Sequence, residues 1–223
     1  MTIRVVNLNK ILKICQLPEN LLTRELRIDL RGERRKALGL PTGGGHFHYP
    51  WWNAAKQHSV GLVDLETFTP VLIGDLKSRK RLYPLLTEGF LQWFRHLRRT
   101  TNAEIVWTQE NIHTHYTVPG LELIVKVDNL LALKIGSDRH KIIYPYFFEE
   151  PALSSLWGRI GLWLMREALS EYDIVDMEIL DVLRGRSFSG GMDFLKGDEE
   201  AIFQRKYMNI IEQWEALKPE YDL

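Results

Sequence analysis

Two histidine pairs at a spacing of two residues invite a metal. His46 and His48 form one pair, and His113 and His115 the other. On a strand, residues i and i+2 point to the same side, so such a pair can present two imidazoles to zinc. His58 or Asp64 would be the third ligand. The plainer reading makes His113 and His115 a polar sheet face and HFHYPWW a packed aromatic loop. That loop also carries Gly43–Gly45, but it lacks the Gly-Lys-Ser/Thr ending of a phosphate loop and no clear strand precedes it. Three glycines more simply let a loop turn. There is no Gly-x-Ser-x-Gly elbow to support a serine hydrolase. Cys15, in an apolar helix, reads as packing rather than as a nucleophile.

A second stretch is HKIIYPYFFEE, residues 140–150. Ile142 to Phe148 is a continuous apolar run, as expected of a strand buried on both faces. Pro145 removes a ladder donor, which predicts local irregularity or a place near an edge. Glu149 and Glu150 follow directly, with Lys134 and Lys141 nearby.

These residues need elements to position them. Hydrophobic spacing predicts a helix over 3–16 capped by Asn7, an amphipathic charged segment over 20–38, a loop over 38–52, a short helix over 53–59, and a strand or turn over 71–76. The clearest helix of the first half is 82–99, with Pro84 in its first turn and Leu86, Phe90, Trp93, Phe94 and Leu97 as one stripe. Strands are expected at 104–107, 111–117, 121–128 and 130–135, with a turn at Pro119-Gly120. In the third of these, Leu121, Leu123, Val125 and Val127 share a face. A hairpin turn at 136–139 leads into the strand 142–148. Then come a helix over 153–170, whose Gly158 and Gly161 allow close approach to a sheet, a strand over 174–183, a loop containing RGRSFSGGMDF, and a helix over 199–217.

The 223 residues are 45% apolar and include seven tryptophans, material for one domain or for one domain with an elaborate N-terminal extension. No apolar run approaches the roughly 18 residues that cross a bilayer, and the first twenty residues are too polar for a signal peptide. A cytoplasmic protein with no membrane partner is expected. One cysteine excludes an internal disulfide and a cysteine-built zinc site. Basic and acidic residues balance at 29 each, whereas a protein that coats nucleic acid is usually basic. The charges are grouped, however. Basic clusters occur at residues 24–36, at 77–81 and at Arg95, Arg98 and Arg99, while 167–200 is acid-rich. Local positive patches are compatible with zero net charge, and solvated faces are the plainer reading.

From residue 82 the order is helix, meander of strands, helix, strand. With this content it resembles the core of PD-(D/E)XK nucleases, particularly the Cas4-like and RecB-like branch. In that family a first helix carries Glu or His, and a strand ending in G-x-x-D supplies a metal-binding Asp. The next strand carries Asp/Glu-x-Lys, and the following helix often reads Q-x-x-x-Y. Carried over, Glu88 is the helix acid and Asp128 the first metal-binding acid. Tyr144 and Tyr146 stand where the second acid and the lysine belong, and Arg159 and Trp163 where Gln and Tyr would stand. The resemblance implies an α/β fold with a central mixed β-sheet flanked by helices. This restriction-endonuclease-like core would span 81–223, behind a helical and loop extension over 1–80 packed on it.

The family's chemistry uses two carboxylates to hold magnesium or manganese, and a lysine to offset developing charge. A tyrosine hydroxyl is a poor ligand for a hard cation. The expectation is therefore a degenerate site with no catalysis and no cofactor, Glu88, Asp128 and Glu149 being vestigial. Asp128 also reads simply as a turn residue in VDNLL, and Glu88 as an exposed helix residue. The alternatives are a magnesium- or manganese-dependent nuclease rebuilt from those three acids, or a metal held by Asp128, His113 and His115. The expected function is a non-catalytic nuclease-like module that contacts nucleic acid or a protein partner. Its contact residues would be Arg34, Arg35, Trp51, Trp52, Arg79, Lys80, Arg81, Arg184 and Arg186. A structural interaction domain without nucleic acid is the third reading.

Overall fold

The computed structural model describes residues 3–41, 47–108, 112–191 and 195–223. The glycine run at 43–45, His46 and the start of the strand expected from 111 lie outside the described residues. The elements are β1 (Val5–Asn7), α1 (Leu8–Ile14), α2 (Glu19–Ala37), α3 (Tyr49–His58), α4 (Leu65–Ile73), α5 (Lys77–Arg99), β2 (Ile105–Trp107), β3 (Thr114–Val118), β4 (Leu123–Val127) and β5 (Leu131–Ile135). They continue with β6 (Arg139–Tyr146), α6 (Ser155–Ala168), β7 (Met177–Asp181), β8 (Arg186–Ser189) and α7 (Glu199–Leu217).

Two mixed sheets result. The larger has the order β2-β5-β6-β7-β8, antiparallel except for the parallel pair β6 and β7. A parallel pair needs a long crossover, and α6 supplies it. The smaller sheet has the order β1-β4-β3, with β1 parallel to β4 and β3 antiparallel to it. The first eighty residues therefore contribute a strand as well as helices.

The apolar run of β6 is divided between two cores. Ile142, Tyr144 and Tyr146 face a core shared with α1, α6 and α7, while Ile143 faces one built by α3 and α5. Two-sided burial explains why neither β6 nor β7 shows a polar face at the level of its middle residues. On β4 the expected alternation holds, with Leu123, Val125 and Val127 buried and Lys126 exposed. The glycines of α6 act as spacing predicts: a Cβ on Gly161 would lie 2.3 Å from Ile179 Cδ1, and one on Gly158 2.5 Å from the Phe188 ring. A methyl on Gly158 would meet the rigid Phe188 ring and push the helix off the sheet, whereas one on Gly161 meets only the flexible ends of Ile179 and Leu12.

Several expectations need correction. The single central sheet is two sheets, because β3 and β4 leave the expected meander to form the smaller one with β1. Val5–Asn7 is a strand rather than helix, and α3 begins at Tyr49, inside the segment expected as loop. The segment at 71–76 is not a strand: α4 is a helix ending at Ile73, and its cap Asp64 accepts from the Glu66 amide at 3.0 Å. Helix α5 begins at Lys77, so Pro84 lies inside it, on its exposed face, where water can satisfy the carbonyl that proline leaves unpaired. The loop after residue 184 contains β8, the last strand of the larger sheet. Pro145 lies in a central strand, not at an edge. It is tolerated because β5 pairs with β6 only as far as Ile143, so beyond that point β6 has a ladder neighbour on one side alone.

Candidate functional site

The Tyr146 end of β6 is where the nuclease resemblance would place an acid and a lysine. Tyr144 is 2% exposed, and its hydroxyl donates to Asn7 Oδ1 at 2.6 Å and accepts from the Asn9 amide at 2.8 Å. Asn7 caps α1 through the same oxygen, and its Nδ2 donates to Asp128 Oδ1 at 2.6 Å. Tyr144, Asn7 and Asp128 are thus one chain of hydrogen bonds. Burial, with the Asp128 carboxylate nearby, drives the Tyr144 phenol well above its ordinary range, so it stays protonated. Asp128 also accepts from Asn129 Nδ2 at 3.0 Å, and Asn129 adopts φ 60°, the left-handed turn conformation that Asn tolerates.

Tyr146 is fully buried and donates to the Pro151 carbonyl at 2.7 Å. Burial, together with neighbouring Asp181, raises its phenol. Asp181 is itself buried, which raises its carboxyl although the Leu153 amide and Arg184 support the charge. Arg184 Nη1 lies 3.2 Å from the carboxylate, and Nη2 donates to the Glu149 carbonyl. The Glu149 side chain turns away to Arg81, which holds its carboxyl below the usual range. Glu88 lies on the exposed face of α5 beside Arg95. The three acids therefore do not assemble: each has separate neighbours.

Asp128, His113 and His115 do share a shallow groove of about 410 Å³ on the open face of the small sheet, with Lys126 between them in register. Among the described residues, no three His, Cys, Asp or Glu side chains are placed to hold one metal ion.

Sequence reasoning missed two titratable side chains held inside the fold. Lys56 on α3 is largely buried beside Trp52, its Nζ 5.9 Å from the ring centroid, and burial lowers its amine to about 8 despite the attraction of Asp128. Glu178 on β7, only 3% exposed, accepts from Trp93 Nε1 at 2.5 Å and pairs with Lys141 on β6. Nothing in their spacing marks either one. Lys56 is brought to Asp128 by the Trp52 Nε1 bond to the Asn129 carbonyl, 2.6 Å across 77 residues.

Most of the contact residues named above are engaged internally. Trp51 and Trp52 are core residues, not stacking platforms: Trp51 donates to Thr87 Oγ1 at 2.9 Å, and both rings pack on Phe90 and Phe147. Arg34 pairs with Asp222, Arg35 donates twice to the Pro41 carbonyl, Arg79 donates to the Leu72 carbonyl, and Arg186 donates to Ser155 while lying over Phe188. Arg81 and Arg184 are bonded as described. Lys80 alone of the named cations is exposed and has no partner among the described residues.

The unspent arginines lie farther along α5. Arg95 and Arg99, with Gln92 and His96, line a polar groove of about 570 Å³ whose other wall includes Gly185 and Ser187. Neither arginine has an acidic partner among the described residues. No family model, curated protein or solved structure matches the chain at a significant level.

Proposed function

We propose that this chain is a nuclease-like module that binds without cutting, with nucleic acid as its partner. The observation behind this reading is the fate of Tyr144. At the position where the resemblance calls for a metal-binding carboxylate, a neutral hydroxyl is buried and bonded to Asn7, which in turn occupies Asp128. Two further features agree with a restriction-endonuclease-like core over 81–223. The larger sheet joins the antiparallel strands β2, β5 and β6 to β7 through a parallel pair, with antiparallel β8 at its edge, and α5 and α6 cover its opposite faces. The test is incubation with single- and double-stranded DNA in magnesium or manganese. Intact substrate together with salt-sensitive binding supports the proposal. Cleavage that disappears in Asp128→Ala overturns it.

One observation favours the nuclease reading instead: Lys56, an amine with a pKa of about 8, lies within the influence of Asp128, as a relocated catalytic lysine would. Cleavage lost in Lys56→Met as well as in Asp128→Ala would establish that reading. A protein partner is favoured by a different region. Helix α4 and its flanks leave Leu62 66% and Val71 68% exposed, with Leu76 52%.

A further inference from the structure

We infer that the groove between α5 and the turn into β8 holds the sugar-phosphate backbone of a nucleic-acid strand. The inference rests on the proposed binding role and locates it. The groove opens beside the turn into β8, at the Asp181 end of β7, and its arginines lie away from the tyrosine cluster, as the packing of α5 makes clear. Gly89 sits against Val182, just past the Asp181 end of β7, and a Cβ there would lie 2.0 Å from the Val182 carbonyl. Four residues on, Trp93 bonds to Glu178 near the start of β7. Helix α5 therefore descends from the Tyr146 end of the sheet towards the Arg139 end, and Arg95 and Arg99 lie on its lower part.

Three properties fit a polyanion. The first is free charge: Arg95 and Arg99 are exposed and unpaired, so their guanidinium donors are available for phosphate oxygens. The second is spacing. One helical turn separates them, a rise of about 6 Å, which spans between one and two nucleotides of a strand rising about 3.4 Å per phosphate. The third is continuation. Arg139 donates to Thr101 Oγ1 at 3.0 Å just past α5, which brings the turn bearing Lys134, Arg139 and His140 to the same end of the molecule. The groove itself is lined by Gln92 and Ser187 for neutral hydrogen bonds, and Glu88 is the one carboxylate among its lining residues. Contacts of this kind are to the backbone, so recognition is independent of sequence.

The test is binding of labelled single-stranded and duplex DNA to the full chain in EDTA across a salt series. Arg95→Glu/Arg99→Glu should weaken binding at least tenfold and lower the salt slope by about 0.9 for each duplex phosphate contact removed. Lys77→Glu/Lys80→Glu should have the smaller effect, and Glu88→Gln should tighten binding. Melting curves of the variants establish folding; if the charge reversal unfolds the chain, Arg95→Gln/Arg99→Gln replaces it. Unchanged affinity in the folded arginine variant overturns the groove and leaves the binding role intact. Absence of any binding by the unaltered protein overturns both. Full displacement by millimolar inorganic phosphate at constant ionic strength overturns the strand as ligand.

Discussion

The two ends of the five-stranded sheet leave different shares of their polar residues free. At the Tyr146 end, Tyr144, Asn7, Asp128, Tyr146, Asp181 and Arg184 all bond to one another or to buried backbone. At the Arg139 end, Lys141 and Trp93 bond to Glu178 and Arg139 to Thr101, but Arg95, Arg99 and Lys134 reach solvent without ionic partners among the described residues. The first arrangement stabilises a fold, because buried polar groups that are fully bonded avoid the desolvation cost of unbonded ones. The second contributes little to stability but leaves donors for a ligand. A side chain's availability thus depends on its partners more than on its type.

This contrast breaks most visibly at Tyr144. Tyr144→Ala removes a buried ring and unlinks Asn7, and should destabilise by about 3–5 kcal/mol in chemical denaturation. A loss below about 1 kcal/mol would mean that the hydrogen-bond chain does not hold this end together. Next in size is His48, stacked on Phe147 with ring centroids 4.6 Å apart and lowered by burial to about 4. The unfolded chain binds its proton with an ordinary value of about 6.5. Between those values the unfolded state holds more protons, so stability rises with pH. The contribution, up to about 3 kcal/mol, is fully present above 6.5 and is lost as pH falls through 4. His48→Phe should keep the stack and flatten that part of the stability–pH curve.

Lys56 sharpens the same comparison from the other sign of cost. Its folded value of about 8 lies below the ordinary 10.5, so at pH 7 the fold carries a charged amine that burial disfavours. Stability climbs as pH rises from 8 to 10.5, where the penalty disappears. Lys56→Met should stabilise the protein by on the order of 2 kcal/mol at pH 7 and by almost nothing above 10.5. A loss of stability at pH 7 would show that the attraction to Asp128 outweighs burial.

The fold was legible where local pattern decides. The stripe of α5, the alternation of β4, the bounds of α7 and the hairpin turn at Gly136 follow from periodicity and turn chemistry. What escaped depended on contacts between distant residues. Helix α4 was hidden because its apolar residues do not face one core: Val71 is exposed while Leu65 is buried. Strand β8 is only four residues, too short to show an alternation. At the candidate site, the substitution of tyrosines for acid and lysine was readable, but the role of Asn7 was not, because its bond to Asp128 spans 121 residues. The basic clusters misled for the same reason. Arg34 is neutralised by Asp222, 188 residues away, and Arg81 by Glu149, 68 away.

The smallest stability effect is expected at the Arg139 end, and it decides how the comparison is to be read. Arg95→Ala and Arg99→Ala remove exposed side chains with no ionic partner among the described residues, so each should change stability by no more than about 0.5 kcal/mol. A gain would be explained by relief of repulsion among Arg95, Arg98 and Arg99, which lie within one turn and a half of the same helix. A loss of 2 kcal/mol or more in denaturant titration would instead reveal a bond that these arginines make within the fold. The Arg139 end would then be as internally committed as the Tyr146 end, and the distinction between the two would disappear.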